Sequence, residues 1–149
     1  MTTVTVLSKH PLPLCSDRPL PEPFCKVLAY QNNRVVAAVA SEMRISLEMS
    51  LELFYEFKLF CYLCYSLKQT QAVPLRIDRF WHIFLDNPAE FDSFCMGCFG
   101  GTIEHIPLAD RATGNINPTV DHAHDMFGPR IATRWQGATL CNARFKAAA

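Results

Sequence analysis

Apolar side chains recur every three or four residues along most of this chain, which is the spacing of amphipathic helices. In the clearest case Ile77, Phe80, Trp81 and Phe84 follow the i, i+3, i+4, i+7 pattern. Asn-Pro pairs, which are typical helix starts, open two of the segments. We predict helices over 34–43, 47–68, 75–86, 88–98 and 118–126.

The segment 47–68 differs from the others because apolar residues cover most of its circumference. A helix that is apolar on every side is usually buried on every side. We therefore expect this helix to form the centre of the fold, with Ser46 as its N-cap.

The two ends of the chain carry different signals. Five prolines within 1–25 exclude a continuous helix there and predict an extended arm. Residues 128–149 show no clear period and predict an irregular tail, whereas 102–106 is predicted to be short and extended.

The expected fold class is all-α. We expect a single domain over 1–149, with a small bundle of four to five helices as its core (34–127), an extended Pro-rich N-terminal arm and an irregular C-terminal tail.

Charge and hydropathy exclude several classes of partner. The 14 basic and 14 acidic side chains cancel, which leaves no electrostatic footprint for nucleic acid or for an anionic membrane surface. The longest strongly apolar run, 59–67, is too short to span a bilayer. We expect neither nucleic-acid nor membrane binding, and a partner that is another protein or a second copy of this chain.

Cysteine content bears on location and on metal chemistry. Seven cysteines are an odd number for a disulfide framework, and no signal-peptide pattern precedes them, so we expect reduced thiols and a cytoplasmic protein. Two Cys-x-x-Cys pairs, Cys61/Cys64 and Cys95/Cys98, have the spacing of a four-thiolate zinc site. Packing in the core is the favoured interpretation, because the first pair lies within an apolar helix rather than at a turn.

A polar pair on the predicted helix over 75–86 is the first candidate for chemistry. Asp78 and His82 are four residues apart, so their side chains can meet on one helix face. The carboxylate can hold one ring nitrogen and leave the other for a ligand, a proton or a metal. Asp78, Trp81 and His82 form a candidate ligand-binding set; an ordinary surface ion pair is the alternative.

A second candidate is a metal site built from His82, Cys95 and His105. These donors converge if the helices that carry His82 and Cys95 form a hairpin and the segment with His105 returns beside them. Cys141 is a further donor in this arrangement, and Asp78 is a supporting carboxylate. Thiolate and imidazole ligands suit Zn or Fe. The alternative is a set of buried hydrogen bonds between packed elements.

Three short motifs follow one another in the central part of the chain: P-x3-D-x2-W-H-x-F, F-C-x3-F-G and I-x-H-x-P. Their residues are Pro74, Asp78, Trp81, His82, Phe84, Phe94, Cys95, Phe99, Gly100, Ile103, His105 and Pro107. This pattern resembles the N-terminal domain of the plant glycine-rich domain-containing proteins and their short bacterial relatives, and weaker flanks extend the resemblance to roughly 35–141. The resemblance implies no settled catalytic activity, and Glu104 replaces the first of the family's two adjacent histidines.

No P-loop, dinucleotide-binding glycine motif or serine elbow occurs in the sequence. The leading expectation is therefore a small soluble binding module that acts through protein–protein interaction, with no catalytic activity assigned. The alternative is a small metal-binding protein or a metal-dependent enzyme with a His/Cys site at His82, Cys95 and His105.

Overall fold

Helices dominate the computed structural model, which describes residues 20–108 and 114–148. Over these residues seven helices and three strands follow one another. In chain order they are α1 (Glu22–Ala29), α2 (Asn33–Met43), α3 (Leu47–Leu67), β1 (Gln71–Ala72), α4 (Leu75–Phe84), α5 (Pro88–Phe99), β2 (Gly101–Pro107), α6 (Asn117–Phe127), α7 (Pro129–Arg134) and β3 (Cys141–Ala147).

The five helices predicted from apolar periodicity and helix-start signals are confirmed, and local contacts fix several of their ends. The Asn32 side chain accepts a hydrogen bond from the Val35 N–H at 3.0 Å, which caps α2. The Ser46 hydroxyl caps α3 in the same way through the Met49 N–H, also at 3.0 Å. At the C-terminal end of α5, Gly100 ends the helix with φ 67°, a left-handed conformation that costs glycine little.

Helix α3 lies at the centre of the core, as its apolar circumference predicts. Phe57, Leu59 and Phe60 are fully buried. The Phe57 ring lies 5.1 Å from the Phe80 ring and 5.9 Å from the Trp81 ring, measured between ring centres. Burial of such large aromatic rings is the main stabilising contribution at this interface.

Among the helices described here, none has both the length and the apolar character needed to cross a membrane.

The expectation of an all-α fold is wrong, because a three-stranded antiparallel sheet packs beside the helices. Its strand order is β1-β3-β2, so the last strand in sequence lies between the other two. Strands β2 and β3 pair along their whole length, from Gly101 opposite Ala147 to Pro107 opposite Cys141. An extended segment needs partners for its backbone N–H and C=O groups, and β3 supplies them for β2. The protein is a mixed helix-and-sheet fold and not a helical bundle alone.

Both ends of the chain also differ from the prediction. Residues 22–25 of the expected extended arm belong to α1, where Pro23 occupies the first turn, a position that needs no N–H donor. Residues 1–19 of that arm lie outside the described residues. The tail that was expected to be irregular over 128–149 contains α7 and β3. Pairing with a distant strand organises this segment, and a seven-residue strand taken by itself carries little periodic signal.

One buried carboxylate connects α3 to two other helices. Glu56 is fully buried, and its Oε2 atom accepts hydrogen bonds from Arg76 Nη2 at 3.1 Å and from Arg134 Nη1 at 3.0 Å. Its Oε1 atom accepts from the Trp135 indole N–H at 3.1 Å. Burial raises the pKa of Glu56, and the two guanidinium groups oppose that rise. These bonds attach α4 and the end of α7 to the central helix.

Trp81→Ala is expected to lower the free energy of unfolding by about 3–5 kcal/mol. The reason is that Trp81 is fully buried, with its ring against Phe57 and Phe91. Urea denaturation followed by circular dichroism measures the change. Met96→Ala is the matched control, because Met96 is 52% exposed and its truncation should change stability by less than about 0.5 kcal/mol. Equal losses in the two variants would contradict the assignment of Trp81 to the core.

Lys58 makes the stability of this protein depend on pH. Its side chain is buried, and its Nζ donates to the carbonyl oxygens of Leu28 at 3.3 Å and Tyr30 at 2.9 Å. Burial lowers the pKa of Lys58 to about 8. A lysine in an unfolded chain has a pKa of about 10.4. Between about pH 8 and about pH 10.4 the unfolded state therefore binds more protons than the folded state. The contribution of Lys58 to stability therefore rises with pH across that window.

Relative to Lys58→Met, the wild-type protein should gain about 2 kcal/mol of unfolding free energy from about pH 7.5 to about pH 9.5. Urea denaturation of both proteins at the two pH values checks this. Titration of the tyrosines and of the other cysteine thiols affects both proteins equally and cancels in the difference, whereas the Cys98 thiol interacts with the charge of Lys58, so its titration is part of the measured difference. A stability difference that does not change with pH would show that Lys58 keeps an ordinary lysine pKa.

Candidate metal centre

Four polar side chains from α4, β2 and β3 meet at one side of the core: Asp78, His82, His105 and Cys141. The pairing of β2 with β3 places His105 directly opposite Ala143. Residues two apart on a strand share a face, so Cys141 lies on the same face as Ala143 and diagonal to His105. The sheet therefore presents an imidazole and a thiol toward the same neighbouring helix.

Helix α4 supplies the other two groups. Asp78 and His82 lie one turn apart, beside the buried apolar stripe of this helix. His82 Nε2 is 3.2 Å from Asp78 Oδ1, the contact that the i, i+4 spacing predicts. The Asp78 side chain is 9% exposed and the His82 side chain is 62% exposed. The pair therefore runs from the edge of the core out to solvent.

The Asp78 Oδ1 atom is the point at which the four side chains converge. His105 Nε2 lies 2.7 Å from it, and the Cys141 thiol donates to it with Sγ at 3.2 Å. One ligand atom from each of Asp78, His82 and His105 lies within 4.8 Å of the other two. The two imidazole rings are 4.8 Å apart between centres and cross at 74°.

This arrangement has the donor types of a metal site, and both histidine nitrogens lie near the carboxylate oxygen at a spacing close to that of metal ligands. Two imidazole nitrogens and one carboxylate oxygen are the ligand set of many catalytic zinc and non-haem iron(II) centres. Ligand atoms that bind a common ion at about 2.1 Å lie roughly 3–3.4 Å from one another. The distances of His105 and His82 from Asp78, 2.7 and 3.2 Å, are close to this range. The exposed His82 ring has room for the small shift that coordination requires.

Cys141 is a neutral thiol next to this carboxylate. It is almost fully buried, and burial together with the negative charge of Asp78 raises its pKa. A protonated thiol can donate a hydrogen bond to Asp78, whereas a thiolate would be repelled. A cation beside the sulfur is what would favour the thiolate form.

Trp81 supports the site from the core side. Its ring is fully buried and lies edge-on to the His105 ring, with 4.9 Å between ring centres and an interplanar angle of 88°. The Trp81 Nε1 atom is buried and has no hydrogen-bond partner in the described part of the chain. Of the predicted ligand-binding set, Asp78 and His82 thus belong to the cluster, while Trp81 holds the His105 ring in position.

Cys95, the third member of the predicted metal set, lies elsewhere. Its thiol contacts the backbone of Ile103 and the side chain of Thr102, and burial raises its pKa to about 12. The structure therefore brings the two predicted histidines together but puts Asp78 and Cys141 where Cys95 was expected.

The two Cys-x-x-Cys pairs belong to the core. Cys61, Cys64 and Cys95 are fully buried and Cys98 is nearly so. Burial raises the pKa of each of these thiols, which keeps them protonated. None of the four is part of a metal-ligating group among the residues that the structure describes.

Comparisons with protein-family models, with curated proteins and with solved structures found no match for this chain. The resemblance to the N-terminal domain of the glycine-rich domain-containing proteins therefore stays a prediction.

His105→Ala and His82→Ala should differ in their effect on stability. The His105 side chain is 16% exposed and bonded to a buried carboxylate, so its loss should cost about 1–3 kcal/mol. His82 is mostly exposed, and its loss should cost less than about 0.5 kcal/mol. Urea denaturation in the presence of a chelator measures both changes. A loss in His82→Ala as large as that in His105→Ala would mean that His82 is a structural residue.

Proposed function

We propose that this protein binds a divalent transition-metal ion, zinc or iron(II), through Asp78, His82 and His105. The observation that supports this most strongly is the approach of both Nε2 atoms to one carboxylate oxygen, at 2.7 and 3.2 Å. Imidazole nitrogen with carboxylate oxygen suits zinc and iron, whereas magnesium and calcium prefer oxygen ligands alone.

Cys141 decides how many positions on the ion stay open. Its sulfur is 3.2 Å from Asp78 Oδ1, so it can orient that carboxylate through a hydrogen bond or become a fourth ligand itself. As a fourth ligand it would complete a tetrahedral set, which favours zinc. As a hydrogen-bond donor only, it would leave a coordination position for water or a small ligand, the arrangement of catalytic sites.

The exposure of His82 gives the proposed ion an approach from solvent. Asp78 and His105 hold the inner side of the site, while the largely exposed His82 side chain forms its outer side. A metal ion bound here can therefore exchange with solution and contact a small molecule. Interaction with another protein, a homo-oligomeric state and a cytoplasmic location stay predictions that rest on composition.

Elemental analysis of protein purified anaerobically, without chelators and without an affinity tag that binds metal, tests this proposal. The wild-type chain should carry zinc or iron at about one ion per chain. Asp78→Asn and His82→Ala should each lower the metal affinity at least about tenfold, because each removes a direct ligand. His82→Ala is the more informative variant, since the exposed position lets the protein keep its fold.

The matched control is His124→Ala on α6. His124 is exposed and lies outside the cluster, so its removal deletes an imidazole without changing the site. This variant should keep the wild-type metal content. The proposal fails if the wild-type protein carries no ion and binds neither zinc nor iron(II) on titration. It also fails if His82→Ala and His124→Ala retain metal equally.

A further inference from the structure

A cleft lies on the other edge of α4, away from Asp78 and His82. It has a volume of about 360 Å³ and opens between the first turn of α4 and the chain that follows α7. Arg76, Arg79 and Arg134 line it, and the described residues contribute no acidic side chain to its lining. The volume is within the range of small-molecule sites in proteins.

Glu56 holds two of these arginines in place. Its Oε2 atom accepts one N–H from Arg76 at 3.1 Å and one from Arg134 at 3.0 Å. A guanidinium group has five N–H donors in a planar fork, so most donors of both arginines remain for other partners. The buried carboxylate thus fixes the two groups at the wall of the cleft, and their side chains keep 38% and 27% of their surface exposed.

Two of the arginines that line the cleft, Arg76 and Arg79, keep donors that no described residue uses. The Arg76 Nε atom is buried without a hydrogen-bond partner among the described residues. Arg79 is exposed and forms no ion pair with any residue that the structure describes. The exposed guanidinium group of Arg79 can therefore donate hydrogen bonds to an acceptor that comes from outside the chain.

The start of α4 adds positive potential to the same place. Pro74 precedes this helix and has no side-chain group that could cap its first N–H groups. A helix N-terminus carries a partial positive charge and favours anions. The apolar part of the wall comes from Met43, Leu75 and Ala138. A polar, positively charged surface therefore lies next to an apolar one.

We infer that this cleft binds a small phosphate ester, with the phosphate group on Arg76, Arg79 and Arg134 and the organic group against the apolar wall. The planar fork of arginine matches the oxygen atoms of a phosphate and can bind two of them at once. A cleft of about 360 Å³ is larger than a bare phosphate ion needs, so an organic group fits beside it.

A purely structural role accounts for only part of this arrangement. Glu56 pairs with Arg76 and Arg134, and Glu52 lies 3.6 Å from Arg134. These two carboxylates balance the charge of two arginines. Arg79 lines the cleft and forms no ion pair with any of the residues over 20–108 and 114–148.

Isothermal titration calorimetry with phenyl phosphate tests the inference on the full chain. Wild-type protein should bind it at one site per chain, more tightly than it binds inorganic phosphate, and should not bind phenol. Arg79→Gln should weaken the binding roughly 10-fold or more, because one charge-assisted hydrogen-bond partner is lost. Arg79 is exposed and has no ion pair within the described part of the chain, so this variant should unfold in urea like the wild type.

Arg144→Gln is the matched control, since Arg144 is an exposed arginine on β3 that does not line the cleft. It should keep the wild-type affinity. His82→Ala should also keep it, which separates this cleft from phosphate binding by a metal ion at the other site. The inference is overturned if phenyl phosphate does not bind. It is equally overturned if Arg79→Gln and Arg144→Gln bind it alike, or if the affinity is lost in His82→Ala.

Discussion

Burial of one helix on all sides is the constraint on which this structure depends. Helix α3 must be covered around its whole circumference, because large apolar residues face in every direction. Helices α1, α2 and α4 and the sheet each cover part of it. Burial of α3 also includes a charged residue. Glu56 is fully buried, and a buried carboxylate needs partners, which Arg76 on α4 and Arg134 on α7 supply. The positions of α4 and α7 are therefore set by α3, and with them the positions of Asp78, His82 and the three arginines of the cleft.

The helices could be predicted from sequence because their signals are local. The stripe of Ile77, Phe80, Trp81 and Phe84 lies within ten residues, and the Ser46 cap lies next to the helix it starts. The sheet could not be predicted in this way, because its pairing joins β2 to a strand more than thirty residues later. Neither strand is long, and the register exists only once both are present. The helix α1 was missed for a different reason. Proline is tolerated at the start of a helix but also favours an extended chain, so the prolines at the start of α1 did not distinguish between the two structures.

In the candidate site, too, the local contact could be predicted from sequence and the contacts between distant segments could not. The contact between Asp78 and His82 follows from their i, i+4 spacing and needs no knowledge of the fold. Whether Cys95 or Cys141 joins the histidines depends on which face of β2 meets which helix, and on the register of β2 with β3. Periodicity within one segment holds no information on either point. Cys95 was expected because a hairpin of the helices that carry His82 and Cys95 would bring it to the histidines, whereas Cys141, predicted only as a further donor, reaches Asp78 beside His105 through the strand pairing.

The central position of β3 in the sheet has a consequence for how the chain is made. Since β3 lies between β1 and β2 and follows both in sequence, neither can join the sheet until the ribosome has translated 141–147. Until then the segments that form α1 to α7 are already made while β2 has no strand partner, and an unpaired strand edge can associate with other chains. The arrangement of Asp78, His105 and Cys141 forms only after that last strand has left the exit tunnel. The strand order therefore makes the sheet, and with it the candidate site, depend on a segment that is translated after all the helices.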